Sequence, residues 1–116
     1  MIYSQETTES LTPEEMANVY SGHAAVLEEA AAKGILLGAE RLRPTASATT
    51  VRVDSGKALV TDGPFAETKE QLAGYYILEC AHLDEAMEWA KRIPTACRGG
   101  GGCIEIRPID DLPQRP

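Results

Sequence analysis

One segment of the chain carries every signal of a long amphipathic helix, and it constrains the rest of the fold. Thr12 is a favoured N-cap, Pro13 suits the first helical position, and Glu15 completes a capping box with the Thr12 hydroxyl. Apolar side chains then recur at helical spacing in a single stripe, and Gly34 is a left-handed stop. The pattern predicts a helix over residues 13 to 33, whose stripe must be buried against another layer.

Segments of strand character surround this helix and a second one. The second helix is predicted over residues 83 to 93, with acidic residues in its first turn and Pro94 as its stop. The predicted strands are a short one at the start, one over 35–39, a hairpin pair over 50–53 and 57–61, one over 74–80 and one over 103–107. This order suits two βαβ-like halves on one antiparallel sheet, and it predicts a ferredoxin-like α+β sandwich.

Both helices are expected on one face of that sheet. The other face still carries apolar or aromatic side chains, which are hard to leave in water. A homodimer that packs sheet against sheet would cover them, so we expect a homodimer.

Composition narrows the classes of function. The chain has 116 residues, which is a single-domain length, and its formal net charge of −7 argues against a surface that follows nucleic-acid phosphates. No apolar run approaches the about 20 residues that a bilayer span needs, and no secretory signal opens the chain. The three cysteines cannot all pair and form no C-x-x-C motif. We therefore expect a cytoplasmic protein with no nucleic-acid or membrane partner.

Residues 62 to 70 read Asp-Gly-Pro-Phe-Ala-Glu-Thr-Lys-Glu, and this segment closely resembles the signature of the DGPF proteins, a branch of the YCII-related family. We call it the signature segment. The similarity covers nearly the whole chain, and it includes residues 11–15, 74–76, 83–86, 89–90, 93–94 and 104–109.

The resemblance implies one YCII-related (DGPF) domain over residues 1–116. It implies ferredoxin-like protomers that form a dimeric α+β barrel, with a pocket between helix and sheet near the dimer cleft. It implies no particular reaction: muconolactone isomerases and small monooxygenases have the same barrel, and a shared fold does not carry function. Many members resemble products of genes beside extracytoplasmic-function sigma factors, which implies a sigma-factor-linked partner as an alternative.

Two features depart from the family pattern. Only Met1-Ile2-Tyr3 remains of a longer first strand, so we expect that this edge strand is clipped or that the true start lies upstream. Smaller YCII-like members place a His on the first helix and an Asp just before the Pro that follows the second helix. His23 matches the His, but Ile93 stands at the Asp position, so the His–Asp pair does not carry over intact.

The candidate catalytic residues are His23 and Asp62. His23 lies in the apolar stripe of the first helix, and an imidazole is the usual group for proton transfer near neutral pH. The alternative is a core histidine with one hydrogen bond. Asp62 would orient His23 in place of the missing carboxylate. The alternative for Asp62 is a turn residue whose carboxylate accepts backbone N–H groups.

The candidate binding residues are Phe65, Glu67, Lys69 and Tyr75. Phe65 would anchor its loop as a plug. Glu67 and Lys69 belong to a charged run, and such runs are more often solvated faces or intersubunit ion pairs. Tyr75 and Tyr76 alternate along their strand, so we expect only one of them to line a cleft, with core or dimer packing as the alternative role.

Other features point to no resident cofactor or metal. His82 begins the second helix, where His is a poor cap, and we expect it to be exposed and inert. Neither histidine has a Cys or carboxylate at ligand spacing, which predicts no metal site. The glycine run after Arg98 lacks the phosphate-loop pattern. A redox pair of Cys97 and Cys103 is the minor alternative to small structural side chains.

Two functions therefore remain open, and whether the chain is an enzyme stays undecided. One is a protein that binds a small uncharged or aromatic molecule, with cofactor-free isomerase- or lyase-like acid/base chemistry at His23 as an option. The other is a noncatalytic accessory or sensor protein in an extracytoplasmic-function sigma-factor response. They differ at His23, since an enzyme needs an imidazole that reaches a pocket and titrates near neutral pH.

Overall fold

The computed structural model describes residues 1–6, 11–95 and 102–111. The predicted loop residues Cys97 and Arg98 lie outside them. The elements follow the chain in the order β1 (Ile2–Ser4), α1 (Pro13–Ala32), β2 (Leu36–Arg41), β3 (Thr49–Asp54), β4 (Lys57–Asp62), β5 (Gln71–Leu78), α2 (Leu83–Arg92) and β6 (Gly102–Ile104).

Four strands form one antiparallel sheet in the order β2-β5-β1-β6. This strand order and the two helices are compatible with a ferredoxin-like fold. Ile2 in β1 pairs with Gly74 of β5 on one side and with Ile104 of β6 on the other. The expectation that the first strand lies at an edge is therefore wrong: β1 is short, but it is an interior strand.

The predicted capping box opens α1. The Thr12 hydroxyl accepts a hydrogen bond from the Glu15 amide at 3.1 Å, and the Glu15 carboxylate accepts one from the Thr12 amide at 3.3 Å. Gly34 follows the helix with a φ of +72°, in the left-handed region that favours glycine. The helix is thus defined at both ends by local sequence, as predicted.

The second helix ends at Arg92, one residue earlier than predicted. Ile93 has an extended backbone, because the ring of Pro94 disfavours a helical conformation at the preceding residue. Ile93 is also buried in the core, where it packs with residues of both helices and the sheet. The buried core consists of Ile2, Val26, Ala30, Trp89 and Ile93. Both helices therefore share this core on one face of the sheet.

The hairpin of β3 and β4 forms a separate two-stranded sheet. Its turn has φ of 51° at Ser55 and 78° at Gly56, as expected for a tight hairpin turn. The expectation of a single sheet is wrong: β3 and β4 pair with each other along their whole length and with no other described strand. The hairpin projects from a flat molecule with dimensions of 47 × 44 × 19 Å.

The last strand is shorter than predicted. β6 ends at Ile104 because its partner β1 offers only three residues for pairing. β5 instead begins earlier than predicted, at Gln71, which pairs with Ser4. Within the described ranges, no helix has the combination of length and apolar character that crossing a bilayer requires.

Candidate functional site

A cavity of about 360 Å³ lies between α1 and the sheet. Its apolar wall includes Met16, Val19 and Leu27, which come from the inward stripe of α1, together with Pro94. Gly74 of β5 also borders the cavity, with no side chain to fill it. The helix that the capping box defines thus provides one wall, and the paired strands β2 and β5 provide another.

His23 and Tyr76 meet at this cavity. The distance between His23 Nδ1 and the Tyr76 hydroxyl is 2.6 Å, and their rings are nearly parallel, with centroids 5.9 Å apart. Helical spacing points His23 toward the sheet, and strand alternation places Tyr76 on the sheet face that packs against the helices. Both side chains are half-buried.

The surroundings keep both members of this pair uncharged at neutral pH. Desolvation and, to a lesser degree, the positive charge of Arg41 lower the pKa of His23. Desolvation raises the pKa of Tyr76. The hydrogen bond therefore joins a neutral imidazole to a protonated phenol, and either imidazole tautomer can form it because a hydroxyl both donates and accepts.

Arg41 stands beside this pair at the end of β2. Its Nη1 donates a hydrogen bond to the Tyr20 hydroxyl at 2.9 Å, and its guanidinium carbon lies 5.7 Å from the centre of the Tyr20 ring. Tyr20 is one helical turn before His23, so both project from the same face of α1. The cavity thus combines an apolar wall, a neutral acid/base pair and the Arg41 cation, which Tyr20 holds.

The chain is similar to a known protein family and to a protein of Rhizobium meliloti. The YCII-related domain family matches residues 1–112. An uncharacterized protein of Rhizobium meliloti (strain 1021) is 40% identical to the chain over 110 residues, which cover 94% of this chain and 88% of that protein. The chain belongs to the YCII-related family. Every element that lines the cavity falls within the family match.

In this YCII-related chain, His23 is paired with a tyrosine and not with the carboxylate of the His–Asp pair that the resemblance implies. Ile93, at the Asp position, is 9% exposed and packs in the core. Tyr76 is the residue that contacts His23 instead. Both Tyr75 and Tyr76 border the cavity, and alternation along β5 points their side chains to opposite faces of the sheet. The phenol in contact with His23 nevertheless belongs to Tyr76, which sequence reasoning left out of the site.

The signature segment of this family member lies elsewhere. Asp62 is exposed at the end of β4 and pairs with Thr49, and Phe65, Glu67 and Lys69 are exposed in the connection to β5. None of these four described residues lines the cavity. The structure does not bring Asp62 to His23, and the catalytic role of Asp62 and the binding roles of the other three stay predictions.

The turn within the signature segment has a clear structural reason. Gly63 has a φ of +94°, a conformation that favours glycine. Its amide donates to the Ala48 carbonyl at 2.7 Å, and its carbonyl accepts from the Thr50 hydroxyl at 2.8 Å. The Asp-Gly-Pro sequence therefore fixes the exit of β4 against the start of β3.

His82 is exposed, as predicted, but it also caps α2, which the prediction of an inert residue did not include. Its Nδ1 accepts a hydrogen bond from the Glu85 amide at 3.3 Å, and the Glu85 carboxylate accepts one from the Ala81 amide at 2.9 Å. The described residues include no group of three or more His, Cys, Asp or Glu side chains that could hold a metal ion.

The two described cysteines are not activated thiols. Desolvation and the nearby Glu85 carboxylate raise the pKa of Cys80, and desolvation and Glu70 raise the pKa of Cys103. A raised pKa keeps a thiol protonated at neutral pH and makes it a poorer nucleophile. The cysteines therefore add no nucleophile to the cavity, and a pair of Cys97 with Cys103 lies outside the described residues.

Proposed function

We propose that this YCII-related protein is a cytoplasmic homodimer that binds a small organic molecule in the cavity beside His23. The observation that carries this proposal is the 2.6 Å hydrogen bond between His23 and Tyr76 at the wall of a largely apolar cavity. A concave apolar site with a few convergent polar groups is the usual form of a small-molecule site.

The same pair supports cofactor-free acid/base chemistry. When Nδ1 donates to the Tyr76 oxygen, Nε2 of the neutral His23 ring has a free lone pair and can accept a proton from a bound molecule. The lowered pKa of His23 keeps this base unprotonated at neutral pH. Proton abstraction or isomerisation is the reaction class that we propose.

The exposed apolar surface supports the homodimer. The four large hydrophobic side chains of the hairpin are all more than half exposed, and Leu37 on β2 is 63% exposed. The hairpin residues are Val51, Val53, Leu59 and Val60. A second copy that covers the hairpin and the helix-free face of the sheet would remove this surface from water, and the gain would grow with the area buried.

A thermal-shift screen with a metabolite library tests the ligand site. A compound at about a hundred times its dissociation constant stabilises the native state by about 2.7 kcal/mol. We expect a compound that stabilises the wild type but not His23→Ala or Tyr76→Phe. Tyr3→Phe is the matched control, because Tyr3 is also a strand tyrosine but its hydroxyl contacts the Met1 sulfur outside the cavity.

The screen has three possible outcomes, and each supports or contradicts the proposal. A compound that the two cavity variants no longer bind, while Tyr3→Phe still binds it, supports the proposal. A compound whose stabilisation is equal in all four proteins binds elsewhere and removes His23 from the site. A library that stabilises none of them contradicts the small-molecule function.

One observation favours a second function, that of a noncatalytic accessory or sensor protein in a sigma-factor-linked response. Phe65, in the signature segment, is 74% exposed and lies away from the cavity. Exposed aromatic side chains are typical anchors in protein–protein interfaces. Capture of an extracytoplasmic-function sigma factor by the wild type, with loss of capture in Phe65→Ser, would support this alternative. Equal recovery with both proteins would contradict it.

A further inference from the structure

The charge distribution of the cavity indicates which ligands it favours. The acidic and basic residues that border it are Glu6, Glu40, Arg41 and Arg43. The Glu6 carboxylate is already used, because its two oxygens accept hydrogen bonds from the Thr45 amide at 2.7 Å and the Thr45 hydroxyl at 2.6 Å. Glu6 is therefore held by the first residue of the short 3-10 helix Thr45–Ser47.

Strand register separates the Glu40 carboxylate from the Arg41 guanidinium. In the pairing of β2 with β5, Ala39 is opposite Tyr76 and Arg41 is opposite Gly74, whereas Glu40 is opposite Tyr75. Because side chains alternate between faces, Arg41 shares the helix-facing side with Tyr76, and Glu40 takes the opposite side. Among the described residues, no carboxylate lies within ion-pair distance of Arg41.

The guanidinium of Arg41 is held in place with donors to spare. The Tyr20 hydroxyl accepts one N–H, and the Tyr20 ring lies against the guanidinium. A guanidinium has five N–H donors in a planar fork that matches a carboxylate. Arg41 is thus an oriented cation that keeps donors available for an anion, beside the apolar wall of the cavity.

The spacing between this cation and the acid/base pair suits a small molecule. Arg41 is two residues beyond Ala39, the register partner of Tyr76, which corresponds to about 6.6 Å along a strand. The effect of the Arg41 charge on the pKa of His23 agrees with this proximity. An anion at Arg41 would therefore place the adjoining atoms of the same molecule beside His23 and Tyr76.

We propose that the cavity selects small organic carboxylic acids, with the carboxylate on Arg41 and an apolar or aromatic body directed toward His23 and Tyr76. The inference rests on the proposed ligand site and adds the class of ligand. The proposed ligand keeps the aromatic body that the sequence led us to expect, but it is a monoanion instead of an uncharged molecule.

A pair of probes of nearly equal shape isolates the charge. Phenylacetate and phenylacetamide differ in whether they carry a carboxylate or a neutral amide. Their dissociation constants are measured by titration of the ¹⁵N-labelled protein at constant pH and ionic strength, with amide shifts followed at the cavity. The proteins are the wild type, Arg41→Gln and the control Arg107→Gln, since Arg107 is exposed and does not border the cavity.

We expect phenylacetate to bind the wild type at least about tenfold more tightly than phenylacetamide, because hydrogen bonds to charged groups are stronger than neutral ones. Arg41→Gln is expected to abolish that preference, and Arg107→Gln to retain it. Equal binding of the two probes to the wild type would overturn the carboxylate inference and leave the ligand site intact. A preference that survives in Arg41→Gln would overturn the role of Arg41.

A different result is expected if the cavity binds neither probe. If neither probe shifts a cavity resonance at millimolar concentration, the carboxylate inference is overturned for aromatic acids. The library screen on His23→Ala and Tyr76→Phe then decides the proposed function independently, because it includes neutral compounds.

Discussion

Gly74→Ala is expected to destabilise the protein by crowding the strand pair that carries Arg41. An added Cβ would lie 2.6 Å from the Glu40 carbonyl oxygen, and ordinary contacts begin at 3.4 Å, so the backbone of β2 must retreat by 0.8 Å (3.4 − 2.6). The obstacle is backbone in a paired strand rather than the end of a flexible side chain. Extra atoms forced into a well-packed site cost about 1–3 kcal/mol.

The effect of the substitution on the unfolded chain partly offsets this cost. Replacement of glycine by alanine restricts the unfolded chain and stabilises by about 0.4–1 kcal/mol where the site accepts a methyl group. The net expectation for Gly74→Ala is a loss of about 1–2 kcal/mol. The assay is urea unfolding at a fixed protein concentration, with the free energy of unfolding extrapolated to water.

Gly38→Ala is the matched control for this measurement. Gly38 lies on the facing strand β2, and a Cβ there would meet Ile77 Cδ1 at 3.7 Å, an ordinary contact. We expect its stability to equal or slightly exceed that of the wild type. If Gly74→Ala proved as stable as Gly38→Ala, the reasoning from the close approach of β2 and β5 would be refuted.

Three further predictions concern charge, the signature turn and assembly. The pKa of folded His23 lies below its ordinary value of 6.5. Its stabilising contribution is therefore present above that pH and is lost as pH falls toward the folded pKa. His23→Gln should flatten this part of the plot of unfolding free energy, measured in urea, against pH. Gly63→Ala should lose about 1–2 kcal/mol through its φ of +94°, and no loss in urea unfolding would contradict the turn argument. Val51→Lys together with Val60→Lys, a cross-strand pair, should convert the proposed dimer into monomer in light scattering, and an unchanged mass would exclude this hairpin face from the interface.

Local signals explain why much of the fold can be predicted from sequence. The start of α1 depends on Thr12 and Glu15, and its end depends on Gly34, so each end is determined by residues within a few positions of it. The hairpin turn depends on Ser55 and Gly56 in the same way. The interior position of β1 and the short length of β6 depend on pairing between distant segments, and local pattern does not contain that information.

The residues of the candidate site also differ in whether local sequence can identify them. His23 is identifiable because it interrupts an apolar helical stripe with a titratable group. Tyr76 joins it across 53 residues of sequence, and Arg41 joins Tyr20 across 21 residues. These contacts arise only when α1 packs on β2 and β5. The signature segment, which dominates the sequence, contributes a hairpin exit and an exposed surface instead of cavity residues.

The most direct test of the central claim observes the two histidines of the chain in one experiment. Imidazole ¹⁵N resonances of uniformly labelled protein are recorded while the strongest stabilising compound from the screen is added. His82, which caps α2 outside the cavity, is the internal reference. The account predicts that the compound shifts the His23 ring resonances and leaves those of His82 unchanged. Saturation of binding with no change at His23 would contradict a ligand site at the His23–Tyr76 pair.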